Sequence, residues 1–252
     1  MIYALREALK LIIEEGLELG ILEKIGASMG KTAKQENVKI VTGDTKVVEK
    51  GSADSLFINT SGIGLKPKSL KLSKHSIGQG DAVIINGTVG AHGAAVLAAR
   101  GDFRFKTKLT SDCASLTGLL QDVLKASDKI RFMRDPTRGG LATTLNEVVE
   151  GMDFGVMIEE TKVPVKKEVR AVCELLGIDP LYSANEGKAV IVCAKEDAKK
   201  VVAIMRRHPL GKNSAIIGEI VKTPKGKVIM KTSIAGTRVV DMLTGAQLPR
   251  IC

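Results

Sequence analysis

Apolar positions along this chain change period several times, and each change marks an element. Leu5, Leu9, Ile12 and Ile13 recur at helical spacing, and Gly16 is a plausible stop, so a first helix is predicted. A second helix runs from Leu19 to Asn37, with Leu22, Ile25, Met29 and Ala33 on one face. Val38 to Val41 reads as a strand running into Thr42-Gly43-Asp44-Thr45-Lys46. Leu56 to Thr60 reads as another, closed by Gly62 and Gly64. The stretch from Leu65 to Gly80 is lysine-rich, carries Pro67 and has the texture of a connector.

The pattern sharpens from Asp81. Ala82 to Asn86 is a buried strand that meets Gly87, Gly90 and Gly93 and then an alanine-rich helix to Arg100. Ser111-Asp112 can cap a helix whose apolar face is Leu116, Leu119, Leu120, Val123 and Leu124. Ile130–Arg134, Val156–Ile158 and Ala189–Ala194 read as strands; Leu141–Val149, Lys166–Leu176 and Glu196–Arg207 read as helices. Ala215–Val221 and Lys227–Met230 form a predicted hairpin through Pro224-Lys225-Gly226. Strands and helices mix without regular βαβ alternation, which points to an α+β fold rather than a doubly wound one. The expected organisation is residues 1–76 as part of an amino-terminal domain, 77–235 as a carboxy-terminal α+β domain, and 236–252 as a flexible tail.

Composition narrows the function classes. The 252 residues are 44% hydrophobic, enough for one large or two modest cores. Aromatics are 3% and Trp is absent, so the core is aliphatic. The net charge of +10 favours anionic partners. The lysines are scattered, and only two Tyr and five Phe are available for base stacking, which argues against a nucleic-acid binder. Cys113, Cys173, Cys193 and Cys252 have no CxxC spacing, so neither a zinc site nor a disulfide framework is expected. Cys173 and Cys193 lie in apolar runs and read as small buried hydrophobes. No apolar run approaches the roughly 20 residues of a membrane span. A reducing compartment, the cytoplasm, is expected.

Five short motifs can carry chemistry. Gly43-Asp44-Thr45-Lys46 follows a strand. Asp44 can hold Mg²⁺ and Lys46 can meet a phosphate or act as a base, although an ordinary strand-end turn reads the same way. Gly87 to Gly93 places backbone N–H groups and His92 at a helix start, which suits an anion and equally suits tight packing. Asp135-Pro136-Thr137-Arg138-Gly139-Gly140 puts an acid, a hydroxyl, a guanidinium and two glycines in one turn. This is an anion-site pattern without Walker spacing. Asn185-Glu186-Gly187-Lys188 offers a carboxylate as a general base, or a plain turn. Leu248-Pro249-Arg250-Ile251-Cys252 offers a thiol that is either a carrier or a frayed terminus.

Taken together, Gly43–Val48, Asp135–Leu141, Ala184–Lys188 and Pro249–Cys252 make the chain similar to the hydrogenase expression/formation family HypE, within the aminoimidazole ribonucleotide synthetase-like superfamily. The resemblance runs from about Leu11 to Cys252. It implies a two-domain architecture in which this chain lacks the family's opening segment. It also implies an ATP-dependent, Mg²⁺-assisted dehydration of a carbamoyl group carried on Cys252. The product would be a thiocyanate whose cyanide becomes an iron ligand of [NiFe]-hydrogenase. Lys46 and Glu186 match the positions that deprotonate the amide nitrogen. Asp44 with Gly43, His92, Asp135, Thr137, Arg138, Gly139 and Gly140 would belong to the nucleotide and metal site. A carbamoyltransferase maturation protein, an iron-carrying scaffold complex and a second copy of the chain are the implied partners. Where the family has Gly-Asp-His-Gly, this chain has Gly90-Ala91-His92-Gly93. Two other readings remain: a non-catalytic form that only carries the cysteine and binds partners, and another superfamily activity such as a small-molecule kinase or selenophosphate-type synthetase.

Overall fold

The structure, a computed structural model, describes residues 3–100 and 108–245. The chain divides into two compact units, Met1–Leu70 and Lys71–Cys252.

The first unit is built on three strands and a helix. β1 (Tyr3–Glu14), α1 (Leu19–Gln35), β2 (Lys39–Val48) and β3 (Leu56–Leu65) form a sheet in the order β2-β1-β3. β1 and β2 are parallel, joined through α1, and β3 runs antiparallel on the other side of β1. The first segment is therefore a strand and not the predicted helix. Leu9, Leu11 and Ile13 also alternate at period two, and hydrogen-bonding partners on both edges resolve the ambiguity in favour of the strand. α1 turns Leu22, Ile25, Met29 and Ala33, the predicted stripe, into partial burial while its other positions are mostly exposed. Glu14 closes the β2–β3 connection by accepting from the N–H groups of Gly51 and Ser55 at 2.5 and 2.8 Å. Those two backbone bonds hold its carboxyl below the usual range.

The second unit is a seven-stranded sheet in the order β10-β9-β6-β8-β4-β7-β5. Its strands are β4 (Ala82–Ile85), β5 (Ile130–Arg134), β6 (Gly155–Glu159), β7 (Val190–Cys193), β8 (Ala215–Val221), β9 (Val228–Lys231) and β10 (Thr237–Val239). Every neighbouring pair is antiparallel except β6 and β9. The predicted β8–β9 hairpin does not form, because β6 lies between the two strands and pairs with both. Thr237–Val239 and the buried Val240 belong to this sheet, although the sequence placed them in a tail.

Helices cover both faces. They are α2 (Ala91–Ala99), α3 (Thr117–Ala126), α4 (Gly140–Val149), α5 (Lys167–Leu176) and α6 (Ala198–Arg207). Ala82 and Ile84 of β4 join Ile191 and Cys193 of β7 in a core with Leu119 and Val123 of α3 and Val201 and Met205 of α6. Val83 and Ile85 point the other way, to Val190, Val192 and the α4 residues Leu141, Leu145 and Val148. A smaller cluster joins α2 to α5 through Ala91, Ala94, Val169, Val172 and Cys173. β4 and β7 are thus apolar on both faces, which is why they read as unbroken hydrophobic runs. Cys173 and Cys193 are buried free thiols, as expected, and burial pushes them up to about 11 and about 12. Ser111 and Asp112 do not cap α3; Leu116 occupies that position, and Ser115 Oγ accepts from Thr117 N instead.

Leu145 is fully buried between α4 and the sheet. Leu145→Ala should lower the unfolding free energy of the second unit by about 2–5 kcal/mol, read from denaturant titration, through lost transfer energy and a residual cavity.

Candidate functional site

Three of the five sequence motifs meet at one end of the second unit's sheet. β4 delivers Gly87–Gly93 and the start of α2. β5 delivers Asp135–Gly140 and the start of α4. The segment before β7 delivers Asn185–Lys188. β4, β7 and β5 are consecutive in the sheet, so these connections are neighbours in space.

Asn185 joins them. Its side chain is fully buried. Oδ1 accepts from Gly90 N at 2.7 Å, while Nδ2 donates to Pro136 O at 2.9 Å and to Ser183 O at 3.1 Å. One amide group therefore satisfies polar groups of all three loops, which no acid or alcohol of that size can do. Ser183 Oγ adds a bond to Gly90 O at 3.0 Å, and Gly93 N donates to Ala184 O at 3.1 Å. The loops approach so closely that side chains are excluded at particular points. A Cβ on Gly140, which has a φ of +61°, would lie 2.5 Å from Leu181 O. A Cβ on Gly187 would lie 2.0 Å from Asp112 O. The glycines of these motifs are thus needed for backbone contact as well as for any ligand.

The candidate side chains sit on this frame. His92, in the first turn of α2, places Nδ1 2.8 Å from Ser111 Oγ and Nε2 4.0 Å from Glu186 Oε1. Both side chains are largely covered, at 16% and 26% exposure. Thr137 Oγ1 donates to Asp135 Oδ2 at 3.1 Å, and Arg138 is exposed on the same turn. Gly139 and Gly140 open α4 with left-handed backbone and leave its first N–H groups at the turn.

Asn86, Ser111, Asp112 and Lys188 were not singled out as site residues from sequence. Asn86 is fully buried; its Nδ2 donates to Gly187 O and Leu210 O, and its Oδ1 accepts from Ala189 N. Lys188 Nζ lies 2.8 Å from Asp112 Oδ2, both nearly buried. Their partners are far away in the chain, and no local pattern reports them.

The Gly43-Asp44-Thr45-Lys46 motif belongs to the first unit. Gly43, Asp44 and Lys46 stand on β2 beside Leu9, Lys10 and Ile12 of β1. Asp44 Oδ2 is 3.7 Å from Lys10 Nζ, and the carboxylate is exposed. Among the described residues no three His, Cys, Asp or Glu gather to hold a metal. Asp44 supplies one carboxylate, which fits Mg²⁺ only as an ion that brings phosphate oxygens and water with it. Cys252 lies outside the described residues.

Residues 78–231 match the family model of the AIR synthase related protein, C-terminal domain. The chain is 51% identical to carbamoyl dehydratase HypE of Bradyrhizobium diazoefficiens over 242 residues, which is 96% of this chain and 70% of that one. It belongs to the HypE family. Among solved structures, the hydrogenase maturation protein HypE in complex with ATP superposes with a TM-score of 0.93 at 42% identity, covering 100% of this chain and 76% of the other. HypE in a HypE–HypF complex gives 0.90 at 44% identity, covering 95% and 78%. The two-domain α+β architecture is therefore that of the AIR synthase-like proteins. Among the described residues no helix is long and apolar enough to cross a membrane.

Replacing Asn185 by Ala would leave Gly90 N–H and the carbonyls of Pro136 and Ser183 buried and unpaired. A loss of about 2–4 kcal/mol in the second unit's unfolding free energy is expected, against less than about 1 kcal/mol for Thr137→Ala on the exposed side of the turn.

Proposed function

We propose that this chain is an ATP-dependent carbamoyl dehydratase of [NiFe]-hydrogenase maturation that works on a carbamoyl group carried by its own Cys252. The observation that carries the reading is the match to HypE across 96% of the chain. The grouping of Glu186 and His92 beside the Asp135–Gly140 turn supports it. The ATP-bound HypE structure supports ATP as the second substrate, and the HypE–HypF complex supports a protein partner, here taken as the carbamoyltransferase.

The chemistry follows from the leaving group. A thiocarbamate, R–S–C(=O)–NH₂, cannot lose its oxygen directly. If that oxygen takes the γ-phosphoryl group of ATP, ADP leaves and the oxygen becomes part of a phosphate ester. Removal of the two nitrogen protons and departure of inorganic phosphate then give R–S–C≡N. The oxygen of the lost water ends on phosphate. Glu186, held near His92, is suited to take a nitrogen proton. The Arg138 guanidinium and the N–H groups opening α4 are suited to phosphate oxygens, with Asp135 and Thr137 on the same turn. Mg²⁺, held through Asp44, would offset triphosphate charge. The thiol of Cys252 is the carrier because sulfur keeps the carbamoyl carbon attached until cyanide passes to iron on a scaffold complex.

A cytoplasmic homodimer belongs to the same proposal. Val41, Val47, Ile63 and Leu65 on the first unit's sheet are 52–71% exposed, and contact with a second copy would cover them.

The S-carbamoylated chain given ATP and Mg²⁺ should release ADP and phosphate in step with thiocyanate on Cys252, seen by mass spectrometry as loss of one water. Cys252→Ala should abolish ADP release and leave the thermal unfolding midpoint unchanged. Absence of both ADP release and an ATP-dependent thermal shift in the S-carbamoylated wild type would favour a non-catalytic carrier instead.

A further inference from the structure

The segment just before α3 lies across the Glu186 loop. Ser111 Oγ bonds His92 Nδ1 at 2.8 Å and accepts from Cys113 N at 3.0 Å. Asp112 Oδ1 accepts from Glu186 N at 3.3 Å, and its Oδ2 pairs with Lys188 Nζ at 2.8 Å. The Asp112 carbonyl sits where a Cβ of Gly187 would be. Two consecutive residues, from a stretch with no regular secondary structure, thus touch His92 and every residue from Glu186 to Lys188.

The charges make this more than packing. Lys188 is two residues from Glu186 on the same short loop, and its side chain is about nine-tenths buried. A buried ammonium needs a counter-charge. With Asp112 in place that need is met within the strap that Ser111 and Asp112 form across the loop. Without it, the nearest acid along the chain is Glu186 itself, and an ion pair there would tie up the carboxylate that must accept a proton.

We infer that Ser111 and Asp112 are positioning residues for the proposed dehydration, with Asp112 fixing the Glu186 backbone and holding Lys188 away from the Glu186 carboxylate. The inference rests on the assignment of Glu186 as a base under the proposed function. Its geometric half stands independently of that assignment.

The test uses the full chain and two readouts. Amide hydrogen exchange in the unliganded protein reads the strap directly. Asp112→Ala should speed exchange at Glu186 N–H at least tenfold, while Asp112→Asn, which keeps an acceptor oxygen, should stay within about threefold of wild type. Equal protection in Asp112→Ala and wild type would overturn the inference. ADP release from the S-carbamoylated chain reads the charge. Asp112→Asn should lower kcat at least tenfold with the KM for ATP unchanged, and adding Lys188→Met should restore most of it. A double variant no faster than Asp112→Asn would overturn the role of Asp112 as keeper of Lys188. The double variant also removes both buried charges, so it stays folded if the single one is unstable. If the wild type itself released no ADP, the proposed function would fail, and the exchange experiment would still decide the strap.

Discussion

The carboxamide of Asn185 is the interaction on which the rest of the site depends. Three loops leave the same end of the sheet from β4, from β5 and before β7. Each brings backbone groups that must find partners once buried. A single side chain with two donors and an acceptor closes all three. The candidate residues of the second unit ride on that closure. His92 is two residues from Gly90, Glu186 follows Asn185, and Asp135–Gly140 surround Pro136. The candidate residues range from the exposed Arg138 to the largely covered His92 and Glu186, and the residue that places them is fully buried. That division lets Arg138 reach outward while the frame beneath it stays satisfied.

Close backbone approach is the second constraint. The loops touch through glycines, so Gly140 of the Asp135–Gly140 turn and the Gly of Asn185-Glu186-Gly187 have a packing reason that stands apart from any ligand. A β-carbon at Gly140 or Gly187 would collide with backbone, which cannot move aside without moving the loop. Gly140 also opens α4, with its own N–H donated to Thr137 O at 3.1 Å. Packing and the phosphate binding proposed for this turn thus draw on one motif. This explains why so dense a motif is readable in the sequence, and why the sequence alone could not apportion its purposes.

Much of the fold was legible because local pattern and tertiary demand agreed. The stripe Leu22, Ile25, Met29 and Ala33 faces inward as its spacing requires, and the apolar runs of β4 and β7 are sandwiched between helices. The errors share a cause. β1 satisfies helical and strand periods at once, and only partners far along the chain decide. β8 and β9 are separated by a turn-like Pro-Lys-Gly and read as a hairpin, yet β6 inserts between them. Asp112 looks like a helix cap because the caps of helices are read locally, while its true partner, Lys188, is distant in sequence. The motif residues Glu186, His92 and Asp135–Gly140 were legible and are brought together by the fold. Asp44 and Lys46 stand on the first unit's sheet, and the thiol of Cys252 lies outside the described residues.

The most direct measurement of the central claim is native-state amide hydrogen exchange at Gly90 in the unmodified chain. Gly90 N–H has Asn185 Oδ1 as its acceptor and lies in a turn at the mouth of the site. If Asn185 holds the loops as one unit, that amide should exchange as slowly as those of Ile84 and Ile85 in the core strand, opening only with the whole second unit. Exchange at the rate of a solvent-exposed turn would show that the loops open independently, and would contradict the account.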